Sequence, residues 1–285
     1  MGTKRVGVAM NLKKLIAFIY DTETTGVTDS DRVVQHAVAV YDLQLNRVID
    51  SRTWLVWESD FIVADSKKWH GWDASTLKLY GTFPMLALSD LDTLYRKYSP
   101  VCVIAHNAEF DQGMLAREAR RTVRWQEHSF DMLKLPWLCT VKDAEYPGCP
   151  SKNLLTLTAF HGFLNPLAHD AIFDCFSLSK IISMNPGLVL RMAQSAAEIY
   201  SIVFANIPPK FDEAMNKKVK SVDFKWQELE HKYFYEKSWI RKIKKSEYPE
   251  FRDKCEKELG FTVNIITDII PGPQFAELAK TLETI

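Results

Sequence analysis

The first strong pattern in the chain is Leu15-Ile-Ala-Phe-Ile-Tyr20, a continuous apolar run stopped by Asp21, as expected of a strand buried on both faces. Val33–Asp42 and Val48–Val56 are rich in Val and Ile, and Leu43–Arg47 between them contains the turn former Asn46, so the pair predicts a hairpin. Within Leu86–Tyr98, the residues Leu88, Leu91, Leu94 and Tyr95 recur at helical spacing. Pro100 ends that helix, and Val101–Ala105 reads as a second buried strand. A helix over about Ala108–Arg121 follows, with Phe110, Met114 and Leu115 on its apolar side. Pro147, Gly148 and Pro150 mark a loop; Leu154–Phe163 and Asp170–Ser183 predict two more helices. Asn185-Pro186-Gly187 is a stop, Leu188–Tyr200 a further helix, and Pro208-Pro209 a second stop. A hairpin running into strand–helix units predicts an α/β fold with a mixed sheet flanked by helices.

After Lys210 the texture changes: Phe224, Trp226, Tyr233, Phe234, Tyr235 and Trp239 are interleaved with lysines. The boundary falls near Tyr200–Pro209, giving a domain over 1–200 and a small α+β module over 210–285. Lys210–Lys257 carries 14 Lys+Arg and 10 Asp+Glu, a net of +4, in a chain whose 36 basic and 36 acidic residues otherwise balance. Lysines meet phosphates and aromatic faces stack on bases, so this module can contact nucleic acid or a protein partner. The same aromatics also suit the core that so small a module needs. Gln274–Leu278 reads as part of a polar-flanked terminal helix.

With 47% hydrophobic and 25% charged residues, the 285-residue chain is not disordered as a whole. No apolar run reaches the roughly 18 residues of a membrane helix, and Val6–Met10 is shorter than a signal-peptide core. Five cysteines without a CxxC pair give neither a disulfide framework nor a zinc pattern. The four in the body, Cys139 and Cys175 among them, sit in apolar contexts as small buried hydrophobes. His36, His128 and His161 have no partner pattern and read as structural. The expectation is a cytoplasmic protein with reduced thiols.

Candidate chemistry gathers in three clusters. Asp21-Thr22-Glu23-Thr24-Thr25-Gly26 ends the first strand, where residues two apart share a face, so Asp21 and Glu23 present two carboxylates together. Such carboxylates repel unless a cation or proton intervenes, and hard oxygen ligands suit Mg²⁺ or Mn²⁺. A polar turn ending a strand is the plainer account. A haloacid dehalogenase-like start, with the first Asp as nucleophile, is a third, although the second acid here is Glu23. His106-Asn107-Ala108-Glu109-Phe110-Asp111 opens the helix after the second strand, with Asn107 as N-cap. Asp111 there can face Asp21 across a shared cleft, or simply favour the helix dipole. In His169-Asp170-Ala171-Ile172-Phe173-Asp174-Cys175, His169 and Asp174 lie about one helical turn apart and can point into one site. A neutral imidazole beside an attacking water is a usual general base; a surface capping pair is the alternative.

Together, in this order, the clusters resemble the DEDDh family of 3′→5′ exonucleases, the DnaQ-like group. Asp21 and Glu23 match its first motif, Asp111 its second, and His169 with Asp174 its third. Trp69-His70-Gly71-Trp72-Asp73 is similar to that family's I-H-G-I-T segment, with departures at both hydrophobic positions and at Thr. Trp137–Lys142 with Tyr146-Pro147, and Ala168–Cys175, are similar to exodeoxyribonuclease X, and the resemblance spans roughly residues 13–184. It implies a ribonuclease H-like fold, a mixed five-stranded sheet with helices on both sides. It further implies two divalent cations, Mg²⁺ or Mn²⁺, held by Asp21, Glu23, Asp111 and Asp174, with His169 as general base. Thr24 and His70 would contact the terminal nucleotide of DNA with a free 3′ end, single-stranded, releasing nucleoside 5′-monophosphates. Ribonuclease T and oligoribonuclease share the five signature residues, so an exoribonuclease is the alternative. A nucleic-acid or partner-binding protein with a vestigial site is the other.

Overall fold

The computed structural model describes residues 14–58, 66–122, 130–207, 213–228 and 237–285. His128, Pro208-Pro209, Val6–Met10 and the Tyr233–Tyr235 cluster lie outside these residues. The chain divides into two compact units, Met1–Ser195 with Glu277–Ile285, and Ala196–Ala276.

In the first unit, β1 (Ile16–Thr24), β2 (Val33–Asp42), β3 (Arg47–Leu55), β4 (Cys102–Ala105) and β5 (Trp137–Cys139) form one sheet in the order β3-β2-β1-β4-β5. The first three strands pair antiparallel, while β4 lies parallel to β1 and β5 parallel to β4. This is the mixed five-stranded sheet expected. Between β3 and β4 lie the short helices α1 (Lys67–His70) and α2 (Ala74–Tyr80) and the longer α3 (Pro84–Tyr98). Then come α4 (Ala108–Arg121), α5 (Leu154–Phe160), α6 (Ala171–Met184) and α7 (Leu188–Ala196). Ile16, Phe18 and Tyr20 of β1 pack with Leu88 and Leu91 of α3 and Leu115 of α4 in one core. Alternation along β1 therefore turns Asp21 and Glu23 to the opposite face, where α6 packs and the Cys175 thiol donates to the Ala37 carbonyl at 3.7 Å. Parallel pairing of β1 and β4 brings their C-terminal ends to one edge, so α4 starts beside Asp21.

Tyr20, His36 and His161 find polar partners. The Tyr20 hydroxyl is 2.6 Å from Nδ1 of His36, a buried imidazole whose pKa is pushed down to about 3 by burial. His161 places Nδ1 on the Leu157 carbonyl at 2.7 Å and Nε2 near the Asn185 amide at 2.8 Å. Cys102, Cys139, Cys175 and Cys255 are buried free thiols. Cys149 departs from expectation: it is partly exposed in a turn, where its thiol donates to the Ser151 carbonyl at 3.1 Å.

The second unit is built on β7 (Lys225–Glu228), β8 (Lys237–Lys244), β6 (Tyr200–Asn206) and β9 (Thr262–Ile269), in that spatial order and antiparallel throughout. The helix expected over Leu188–Tyr200 stops at Ala196, and Tyr200 begins a strand. Ser201, Val203 and Ala205 are buried in strict alternation, a period of two that no helix can satisfy. Among the described residues, α8 (Glu213–Ser221) and α9 (Tyr248–Lys254) accompany the strands, and α10 (Pro273–Leu282) spans the division at Glu277. Phe224, Trp239, Phe251 and Phe261 fill the core with Val203 and Val263. Trp226 stays 51% exposed, edge-on to Trp239 with ring centroids 5.5 Å apart. Among the described residues no helix is long and apolar enough to cross a membrane.

Candidate active site

Three elements deliver the acids. Asp21 and Glu23 stand at the end of β1, Glu23 directly opposite Gln35 of β2. Asp111 lies in the first turn of α4 and is 2% exposed. One of its carboxylate oxygens accepts from the Thr22 backbone N–H at 3.1 Å and from the Thr22 hydroxyl at 2.7 Å. Asp174 lies in the first turn of α6; it accepts from the His169 N–H at 3.3 Å and from the Asn165 amide at 2.5 Å. One ligand atom each from Glu23, His169 and Asp174 lie within 4.8 Å of one another.

Both acid-bearing helices are entered through a left-handed residue that is not glycine, Asn107 at φ 73° and His169 at φ 65°. Asn107 occupies the N-cap position but makes no capping bond through its side chain, contrary to expectation. Side-chain capping needs an extended backbone there, which the left-handed turn does not provide. Asp170 instead caps α6 in the expected way, with extended backbone and its carboxylate accepting from Ile172 N–H at 3.3 Å.

The two expected substrate contacts are held by local bonds. The Thr24 hydroxyl donates to the Gly26 carbonyl at 2.6 Å. His70 is buried; its Nδ1 accepts from the Trp72 N–H at 3.0 Å, which puts the ring proton on Nε2, 3.1 Å from the Ser66 hydroxyl. Burial lowers its pKa, a hydrogen bond to the Thr24 backbone partly opposing it, so the ring is neutral. Trp69, 61% exposed, lies edge-on to the His169 ring with centroids 5.8 Å apart.

Sequence reasoning missed the clamp on the turn from β1 to β2. Glu118 of α4, 1% exposed, accepts from Arg32 Nε at 2.9 Å, Val33 N–H at 3.3 Å and Arg121 at 3.0 Å. Arg121 also donates to the Asp29 and Asp31 carbonyls. The available signal was position: Glu118 falls three residues after Leu115 on the apolar stripe of the helix, where a carboxylate needs a partner.

Burial dominates the electrostatics, and crowding of carboxylates adds to it at Asp21 and Glu23. Burial, then the charges of Asp111, Asp174 and Glu23, push the Asp21 pKa well above the usual carboxylate range. Burial, followed by Asp174 and Asp111, pushes Glu23 up to about 9. Asp111 is raised to about 7 by burial against the opposing Thr22 hydrogen bonds. Burial raises Asp174 to about 6, with the His169 N–H and Asn165 opposing. Four carboxyl groups that resist ionisation together form an oxygen-rich donor set, and a divalent cation is the partner that relieves their repulsion. The donor set fits such an ion.

The RNase_T family model, described as Exonuclease, matches residues 18–182. No curated protein matches the chain. Among solved structures, the zinc-bound complex of E. coli exonuclease I with single-stranded DNA is similar at 13% identity and a TM-score of 0.55, over 95% of this chain and 71% of that one. E. coli exonuclease I bound to a dA16 oligonucleotide gives the same identity, score and coverage. The nuclease domain of 3′hExo, a DEDDh family member bound to rAMP, is similar at 13% identity and a TM-score of 0.51, over 60% of this chain and 91% of that one. These likenesses are of fold.

Proposed function

This chain belongs to the RNase_T family of exonucleases, and from that premise we propose that it removes nucleotides one at a time from the 3′ end of single-stranded DNA. The observation that carries the reading is the convergence of Glu23, His169 and Asp174 within 4.8 Å, with the half-buried Asp21 and the buried Asp111 alongside. Asp21, Glu23, Asp111 and Asp174 would hold two divalent cations, Mg²⁺ or Mn²⁺. When bound, these ions supply Lewis acidity at the scissile phosphate and neutralise charge building on its oxygens. His169 takes the proton of the attacking water on its imidazole, exposed at the mouth of the acid cluster. Thr24, whose hydroxyl proton already serves Gly26, contacts the terminal nucleotide as an acceptor. His70, with both ring nitrogens engaged, contacts it through the ring edge.

The choice of DNA is supported by the single-stranded DNA held in the exonuclease I complexes. It is also supported by the Trp137–Lys142 and Ala168–Cys175 segments, which resemble exodeoxyribonuclease X. The rAMP bound to 3′hExo favours the second reading, an exoribonuclease. Half-exposed Trp226, and Lys220 5.9 Å from the Trp239 ring centroid, support nucleic-acid contact by the second unit. Five free thiols support a cytoplasmic location. The test is digestion of end-labelled single- and double-stranded DNA and RNA with Mg²⁺, Mn²⁺ or chelator. Preferred shortening of single-stranded DNA from the 3′ end supports the proposal, preferred RNA shortening moves it to the second reading, and full activity in chelator overturns it.

A further inference from the structure

Gln35 is a polar side chain near the start of a largely apolar strand, 2% exposed, and nothing in the chemistry above uses it. Its amide makes every bond it can. Nε2 donates to Asp170 Oδ1 at 2.9 Å and to the Thr53 hydroxyl at 3.2 Å. Oε1 accepts from the indole N–H of Trp72 at 3.0 Å and from the Ala171 backbone N–H at 3.2 Å. Two donors and two acceptor sites are thus all filled, which fixes the amide's orientation.

The partners explain its placement. Asp170 and Ala171 directly follow His169, whose left-handed backbone a β-carbon disfavours. Such a turn persists only where its surroundings hold it, and Gln35 grips it twice: at the Asp170 carboxylate that caps α6, and at the Ala171 N–H, which the cap leaves free. Gln35 is also the cross-strand neighbour of Glu23, so the grip is anchored on the pair of strands that carries the acids. Its third element is Trp72, in the segment that contains His70.

We propose that Gln35 is the positioning residue for His169, fixing the strained turn that presents the imidazole at a set distance from Glu23 and Asp174. The proposal rests on His169 acting as general base. Asp174, in the first turn of α6, accepts from the Asn165 amide as well as from the His169 N–H, so one of its two bonds does not pass through the turn that Gln35 holds and the acids stay in place when Gln35 is removed.

The test is a double-mutant cycle on the full chain with Gln35→Met and His169→Ala, reading kcat and KM on a single-stranded oligonucleotide and Mn²⁺ affinity by calorimetry. Gln35→Met alone should lower kcat by about 10–100-fold, the range expected for a misplaced catalytic group. KM and Mn²⁺ affinity should stay within about threefold, and in the His169→Ala background Gln35→Met should lower kcat no further. Gln35→Glu, which keeps the size and the Oε acceptors but cannot donate to Asp170 when ionised, repeats the cycle if the methionine variant does not fold. Multiplicative losses of kcat overturn the positioning role and leave the base intact. Mn²⁺ affinity lost in step with kcat also overturns it, because Gln35 would then act through Glu23. A His169→Ala enzyme with unchanged kcat removes the base and this proposal together.

Discussion

Thr22 gives both its backbone N–H and its hydroxyl to a single carboxylate oxygen of Asp111, at 3.1 and 2.7 Å, across 89 residues of sequence. This pair joins the strand of Asp21 and Glu23 to the helix of Asp111, and it holds the Asp111 pKa down against the pull of burial. Thr22→Val keeps the shape and the backbone bond but removes the hydroxyl. A hydrogen bond to a charged group contributes about 1.5–3 kcal/mol, so Mn²⁺ affinity at pH 7 should weaken by about tenfold or more. Calorimetric titration reads it directly, and unchanged affinity would remove Asp111 from the ion-binding set.

The raised carboxyl groups set a sign for the pH dependence of stability. Glu23 at about 9, Asp111 at about 7 and Asp174 at about 6 all titrate above the 4.5 of a glutamate and the 3.8 of an aspartate in the unfolded chain. Between those values the metal-free folded chain binds more protons than the unfolded one, so stability falls as pH rises. The thermal midpoint in chelator should therefore drop from pH 5 to pH 8. Saturating Mn²⁺ should flatten or reverse that slope, because ion binding expels the protons. Parallel slopes with and without the ion would contradict the clustering of these acids around it.

Buried Glu118 anchors the β1–β2 turn through Arg32 and Arg121. Arg32→Met leaves the Glu118 carboxylate, 1% exposed, with Arg121 and the Val33 N–H alone. Removing one partner of a buried ion pair costs about 3 kcal/mol or more, which denaturant unfolding at pH 7 should show. A loss near zero would mean that Arg121 suffices.

Much of this arrangement was legible in the sequence, for identifiable reasons. β1 and α4 carry strong periodicity and clear stops, and the acids sit at their ends, where chemistry gathers at the edge of a sheet. Long-range bonds were not legible. The Thr22–Asp111 link needs the parallel pairing of β1 and β4, and Gln35 reads locally as one polar residue in Val33–Asp42. Strands β6 and β9 were missed because short, half-buried segments do not separate helix from strand by hydrophobicity alone. Asn107 shows the limit of a local rule: the residue type suits a cap, while its backbone conformation excludes the side-chain cap.

His169→Ala isolates the proton transfer. A positioned base contributes about 10²–10⁴-fold to turnover, so kcat should fall by that range while KM for a short single strand and Mn²⁺ affinity hold. Steady-state rates at pH 7 with saturating Mn²⁺ check this. An unchanged kcat would leave His169 as the residue that enters α6 and nothing more.

On the proposed reading, the acids at the end of β1 and at the starts of α4 and α6 hydrolyse a nucleic acid from its 3′ end with divalent ions. One measurement meets it most directly: the length ladder of a 5′-labelled single-stranded oligonucleotide, for the natural chain and Asp21→Asn side by side in excess Mn²⁺. The natural chain should shorten the label one nucleotide at a time from the 3′ end, and Asp21→Asn, folded by circular dichroism, should leave it intact. Equal ladders from the two proteins, or cuts starting inside the strand, would contradict the account.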